Sequence, residues 1–155
     1  MRYAELLAQA RTRVRELMPW DLADRLAAGN APLLLDVREP GEFARLHIAG
    51  STHVPRGVLE QACEWDHDET EPALAAADRG RAIAIVCRSG KRSLLAADTL
   101  LTLGFTDVVS LATGLRGWND AEQPLVDGQG RALDPDTAEA LLAPQLRPGQ
   151  RRPRG

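Results

Sequence analysis

Two short, unbroken apolar runs constrain this chain more than any other feature. Leu33-Leu34-Leu35 and Ala82-Ile83-Ala84-Ile85-Val86 are brief, and neither shows the polar alternation of a strand wetted on one face. Such runs belong to strands of a parallel sheet covered on both sides. The segments around them carry helix punctuation. Pro19 and Asp21 suit a first turn, Leu22, Leu26 and Ala27 supply an apolar side, and Gly29-Asn30 stops that helix. Pro40 and Glu42 open a brief helix through Leu46, and Gly104 closes one that begins beyond Val86. Thr52-His53-Val54 reads as a short edge strand, and Val108, Val109 and Leu111 as the last strand. Strands alternating with helices predict an α/β fold with a mostly parallel sheet flanked by helices. In such sheets, ligands gather at the carboxyl ends of the strands.

The two ends differ from this middle. Tyr3, Leu6, Leu7, Ala10, Val14 and Leu17 recur at helical spacing, which predicts an N-terminal amphipathic helix of about four turns over 1–17, packed on the domain. Beyond Leu125 the chain is turn-rich, with one short helix expected from Thr137 to Ala143. The arginine- and proline-rich end cannot bury enough apolar surface, so the last ~10 residues are expected to be disordered. Between Glu64 and Glu71 an acidic, unpatterned stretch reads as a surface excursion.

With 155 residues the chain can build one core of its own. A formal charge of −3 argues against a nucleic-acid partner. No stretch approaches the roughly 20 apolar residues of a membrane span, and Arg11, Arg13 and Arg15 interrupt any leader-like apolar region. A reducing cytoplasm is the expected location. Two cysteines, Cys63 and Cys87, make neither a disulfide framework nor a four-ligand zinc site, and no cofactor is expected.

Chemistry concentrates at Cys87-Arg88-Ser89-Gly90-Lys91-Arg92-Ser93, between the second apolar run and a helix beginning near Leu94. This places a thiol at a strand end, facing a helix N-terminus, among three cations and no acid. Helix N-termini and neighbouring cations lower cysteine pKa values, and the thiolate is the nucleophile. Gly90 permits positive φ, so the loop can curl with its N–H groups inward and bind an anion. Ser93 or its neighbour is expected to cap the helix. Asp36 and Arg38, two apart at the end of the first apolar run, are expected to brace the loop, with Arg38 and Glu42 paired at that corner. His47 and His53 are expected to make structural hydrogen bonds rather than bind metal, and Cys63 to lie on a helix face.

The loop resembles the active loop of the rhodanese family. Asp36-Val37-Arg38-Glu39-Pro40-Gly41-Glu42-Phe43 resembles the family's first signature, and His47-Ile48-Ala49-Gly50 its His-Ile-x-Gly segment. Gly104-Phe105-Thr106-Asp107-Val108, with Gly114 and Trp118, is similar to the closing part. Two departures stand out: Leu46 where a glycine is usual, and Thr113 for the first of two glycines. The resemblance covers 18–125 as a rhodanese-like domain, leaving 126–155 as a C-terminal extension. It implies a five-stranded sheet and sulfur transfer through a persulfide on Cys87. Arg88, Ser89, Gly90, Lys91, Arg92 and Ser93 would bind substrate, with Arg92 and the loop N–H groups holding the persulfide. The implied partners are a small anionic sulfur donor such as thiosulfate, a cyanide or thiol acceptor, and a sulfur-accepting protein; the expected state is a monomer or weak homodimer. Phosphatases and arsenate reductases share the fold, but their loops hold five residues between cysteine and arginine, whereas four separate Cys87 from Arg92. A sulfur-relay or regulatory module without small-molecule turnover is the other alternative.

Overall fold

The computed structural model describes all residues, Met1–Gly155. Its five strands are β1 (Arg15–Leu17), β2 (Leu33–Asp36), β3 (Thr52–His53), β4 (Ile83–Val86) and β5 (Val108–Leu111). They form one sheet in the order β1-β5-β4-β2-β3, and every neighbouring pair is parallel. The helices are α1 (Tyr3–Arg11), α2 (Pro19–Ala27), α3 (Pro40–Arg45), α4 (Leu59–Ala62), α5 (Pro72–Ala75), α6 (Lys91–Thr102), α7 (Gly114–Asp120) and α8 (Pro135–Leu142).

The period of two in a strand sorts the apolar runs onto opposite faces. Leu35, Ile83, Ile85 and Cys87 point into a core shared with Leu7 and Ala10 of α1 and Leu94, Ala97 and Leu100 of α6. Leu34, Ala84, Val86, Val109 and Leu111 point the other way, onto Leu22, Leu115, Trp118, Ala138 and Leu142. Both faces are therefore filled, which is why the runs lack polar alternation.

The N-terminal segment differs from its predicted form. The helix stops at Arg11, and Arg15-Glu16-Leu17 pairs as an edge strand with Val109, Ser110 and Leu111. A helix continued to Leu17 would leave the outer edge of β5 without partners, and unpaired buried backbone groups are costly. Val14 is buried either way, so the apolar stripe mixed two elements. Arg13 anchors the turn between them through Asp98 of α6, at 2.6 and 2.7 Å.

The two departures from the family pattern differ in their local backbone. Leu46 is extended, with φ −160°, and its side chain is buried in the second core, so no glycine is required there. Thr113 does occupy the left-handed region, at φ 66°, where glycine is ordinarily favoured. The C-terminal helix, α8, is present: Ala138 and Leu142 are buried, and Asn119 Nδ2 donates to the Pro135 carbonyl at 3.0 Å. Residues 144–155 are exposed throughout, and the acidic 64–70 stretch is largely exposed, including Trp65. No helix is long and apolar enough to cross a membrane.

Candidate active site

Cys87 follows directly on the central strand β4, at the carboxyl edge of the sheet. Its side chain is buried, and its Sγ accepts from the Gly90 N–H at 3.1 Å and the Ser93 N–H at 3.3 Å. These donors exist because the first N–H groups of a helix have no partner within it, and α6 begins at Lys91. Gly90 is the N-cap residue, with φ 89°, and a Cβ there would stand 3.1 Å from the Thr113 nitrogen and 3.2 Å from the Leu111 carbonyl oxygen. Glycine is what lets the loop turn back over its own sulfur.

Ser93 does not cap α6. Its Oγ lies 3.3 Å from Cys87 Sγ, which donates to it, and 2.8 Å from Ser110 Oγ on β5. Both serines are fully buried, so the sulfur rests on two backbone donors and a buried hydroxyl pair. Ser110 was not singled out from the sequence; it sits in an apolar strand, and only pairing of β4 with β5 brings it beneath the loop.

A second turn locks the loop from outside. The N–H groups of Leu115 and Arg116 donate to the Cys87 and Arg88 carbonyls at 2.8 and 3.1 Å. Gly114 permits this approach: with φ 62°, any Cβ at that position would lie 2.5 Å from the Arg88 carbonyl and the Ser89 nitrogen.

The cations divide into two groups. Arg92 is taken by Glu42, whose two oxygens accept from its Nη1 and Nη2 at 2.7 and 2.9 Å. This corrects the expected Arg38–Glu42 pair. Arg38 is instead consumed by Asp36 and by the Leu46 carbonyl, at 2.8 and 2.6 Å from its Nη2, in a fully buried cluster. Arg88 and Lys91 make neither an ion pair nor a side-chain hydrogen bond, and with Tyr3, Ser89, Glu42 and Arg92 they line an open depression of ≈ 410 Å³ over the loop.

The Arg92 guanidinium, through its hydrogen bonds, holds the Glu42 carboxyl down at about 2, below its ordinary 4.5. A carboxylate with a depressed folded pKa contributes stability that is fully present above its unfolded value and lost as pH falls through the folded one. Glu42→Gln should therefore remove part of the stability decline between about pH 4.5 and 2. Denaturant midpoints measured across that range check this; parallel wild-type and variant curves would contradict it.

His47 and His53 sandwich the Phe43 ring, with centroids at 4.0 and 4.5 Å. His47 Nδ1 donates to the Phe43 carbonyl and His53 Nε2 to the Arg38 carbonyl, at 2.9 and 2.7 Å. Both therefore serve the architecture around Arg38. Cys63 is buried at the end of α4, away from solvent, and donates to the Leu59 carbonyl at 3.3 Å; burial pushes its thiol pKa up. No group of three or more His, Cys, Asp or Glu side chains is placed to hold a metal ion.

A five-stranded parallel α/β domain with a thiol cradled by backbone donors at the carboxyl edge of its central strand defines a recognisable class. The model of the rhodanese-like domain matches residues 18–121, and the chain belongs to that family. Among its relatives, the thiosulfate sulfurtransferase GlpE of Pseudomonas aeruginosa (strain LESB58) is 34% identical over 89 residues, covering 57% of this chain and 71% of GlpE. A Bacillus subtilis protein named "Putative sulfur carrier protein YrkF" is 35% identical over 85 residues, 55% of this chain; the chain spans 40% of that longer protein. A solved structure from Rhodopseudomonas palustris, of unknown function and described as a possible tyrosine phosphatase, superposes with a TM-score of 0.71 at 26% identity. That match covers 80% of this chain and 93% of the other.

Proposed function

We propose that the chain is a sulfurtransferase that carries sulfane sulfur as a persulfide on Cys87. The observation that carries this reading is the pair of N–H donors, from Gly90 and Ser93, converging on Cys87 Sγ. Those donors favour a negative Sγ, the thiolate that attacks the donor and is restored when the persulfide is discharged. Kinship with proteins named for thiosulfate sulfur transfer and sulfur carriage supports the same chemistry.

The steps balance without a cofactor. The Cys87 thiolate attacks the outer sulfur of thiosulfate; an S–S bond forms to Cys87 as the donor's S–S bond breaks, and sulfite leaves with the electron pair. Cyanide then attacks the outer sulfur of the persulfide, thiocyanate departs, and the thiolate is restored. Arg88 and Lys91, free of acidic partners, draw the dianionic donor to the mouth of the loop. Arg92, held by Glu42, contributes charge near the sulfur and also shapes the wall.

The relative described as a possible tyrosine phosphatase raises the phosphatase reading. Against it stand the four residues between Cys87 and Arg92, which leave less room for a tetrahedral phosphate, and the engagement of both Arg92 Nη atoms by Glu42. Incubating the protein with thiosulfate and cyanide should yield thiocyanate; hydrolysis of an aryl phosphate without thiocyanate would reverse the assignment.

Gly114→Ala tests how the loop is held. The left-handed backbone costs a non-glycine residue about 1–2 kcal/mol, and the added Cβ must push back the Arg88–Ser89 peptide. Thiocyanate formation should fall by more than roughly tenfold, as expected for misplaced catalytic groups, while the folded state survives. Activity equal to wild type would show that the close approach at Gly114 does not position the loop.

A further inference from the structure

Beside the loop lies a second cleft of ≈ 230 Å³, separated from the first by Glu42 and Arg88, which border both. One wall carries Arg38, Arg45 and Arg88; the other is the end of α8 and the residues after it, with Leu141, Leu142 and Gln145. That second wall lies beyond the residues 18–121 matched by the family model. It is nonetheless a built wall. Leu142 and Ala138 are locked into the core, and an antiparallel bridge between His47 and Val126 ties the connecting chain to the domain.

The charges in this cleft are unbalanced. Asp36 answers Arg38, and Arg92 answers Glu42, whereas Arg45 and Arg88 have no acidic partner. Arg38 is 1% exposed; its Nε and Nη2 are engaged by Asp36 and Leu46, and its Nη1 makes no hydrogen bond within the protein. A carboxylate is the ligand that matches a guanidinium fork. Leu141, 41% exposed, and Leu142 add an apolar strip beside these cations. At ~30 Å³ per water molecule, the cleft is several times larger than cyanide requires.

We infer that this cleft, built by the C-terminal extension against Arg38, Arg45 and Arg88, binds the carboxylate and short carbon stem of an organic thiol that accepts sulfur from Cys87. This rests on the persulfide reading above. The thiolate of the acceptor attacks the outer sulfur of the Cys87 persulfide; a new S–S bond forms on the acceptor, the bond to Cys87 breaks, and its electron pair returns to the Cys87 sulfur. The products are an organic persulfide and the resting thiolate, with no net oxidation.

The test uses the full chain, charged with thiosulfate, and compares β-mercaptopropionate with its methyl ester, rates being normalised to the thiolate fraction. The acid should be favoured by roughly tenfold or more in kcat/KM, chiefly through KM, as one charge-assisted contact provides. Arg45→Gln and Leu141→Glu, both at exposed positions, should move that ratio toward one. A ratio near one in the wild type, or a ratio indifferent to both substitutions, would overturn the subsite. Should no sulfur be taken from thiosulfate, the sulfurtransferase reading itself fails. The cleft is then decided by saturation-transfer NMR with β-(methylthio)propionate, which keeps the carboxylate but has no free thiol. Signals lost in Arg45→Gln support the site, and equal signals in both proteins overturn it.

Discussion

Cys87→Ser should abolish thiocyanate formation from thiosulfate and cyanide, with a loss of at least about a thousandfold, while leaving the fold intact. The sulfur is the covalent carrier in the proposed cycle, so its removal deletes the intermediate rather than weakening a contact. A serine oxygen fits the same space and can accept from the Gly90 and Ser93 N–H groups that now point at Sγ. It cannot hold sulfane sulfur as a thiolate does. Circular dichroism and thermal midpoints close to wild type would accompany the loss. Cys63→Ser should have no such effect, because Cys63 is buried, donates to its own helix, and has its thiol pKa pushed up by burial. Residual turnover in Cys87→Ser near the wild-type rate would place the chemistry elsewhere.

Asp36→Ala should be the most destabilising single change at this corner, costing about 3–5 kcal/mol, the range for removing one partner of a buried ion pair. Arg38 is then left with its charge uncompensated at 1% exposure. Asp36 accepts from Arg38 Nε at 3.0 and 3.1 Å, from Nη2 at 2.8 Å and from the Arg38 N–H at 3.1 Å, so four contacts vanish together. Against a typical total of about 5–15 kcal/mol this is a large fraction. Urea unfolding of wild type and variant measures it. The double variant Asp36→Ala with Arg38→Met should recover much of the loss, because the stranded charge, rather than the missing attraction, dominates the penalty. A single-variant cost under about 1 kcal/mol would mean that Arg38 finds water or another partner.

The strands that carry the site could be read directly, since Leu33–Leu35 and Ala82–Val86 must be covered on both faces and chemistry collects where such strands end. The cysteine loop was equally legible: Gly90 and the helix start are local features, and local features place the donors on Sγ. Other parts depended on contacts that no local pattern reveals. Arg15-Glu16-Leu17 is three residues long, mostly exposed and charged; only the open edge of β5 makes it a strand. Spacing suggested Arg38 with Glu42, but Arg38 gives its Nε and Nη2 to Asp36 and the Leu46 carbonyl, and Glu42 pairs with Arg92, fifty positions along the chain. Likewise, nothing local in the turn-rich C-terminal extension signals that Leu141 and Gln145 stand beside Arg88. That placement follows from burial of Ala138 and Leu142 in the second core, where α8 packs on α7.

The central claim is that Cys87 carries sulfur, and intact-mass measurement after thiosulfate treatment tests it most directly. The account predicts a gain of one sulfur atom, mapped to the peptide containing Cys87, absent from Cys87→Ser and discharged by cyanide. A gain that persists in Cys87→Ser, or a protein that stays unmodified while hydrolysing an aryl phosphate, would contradict it.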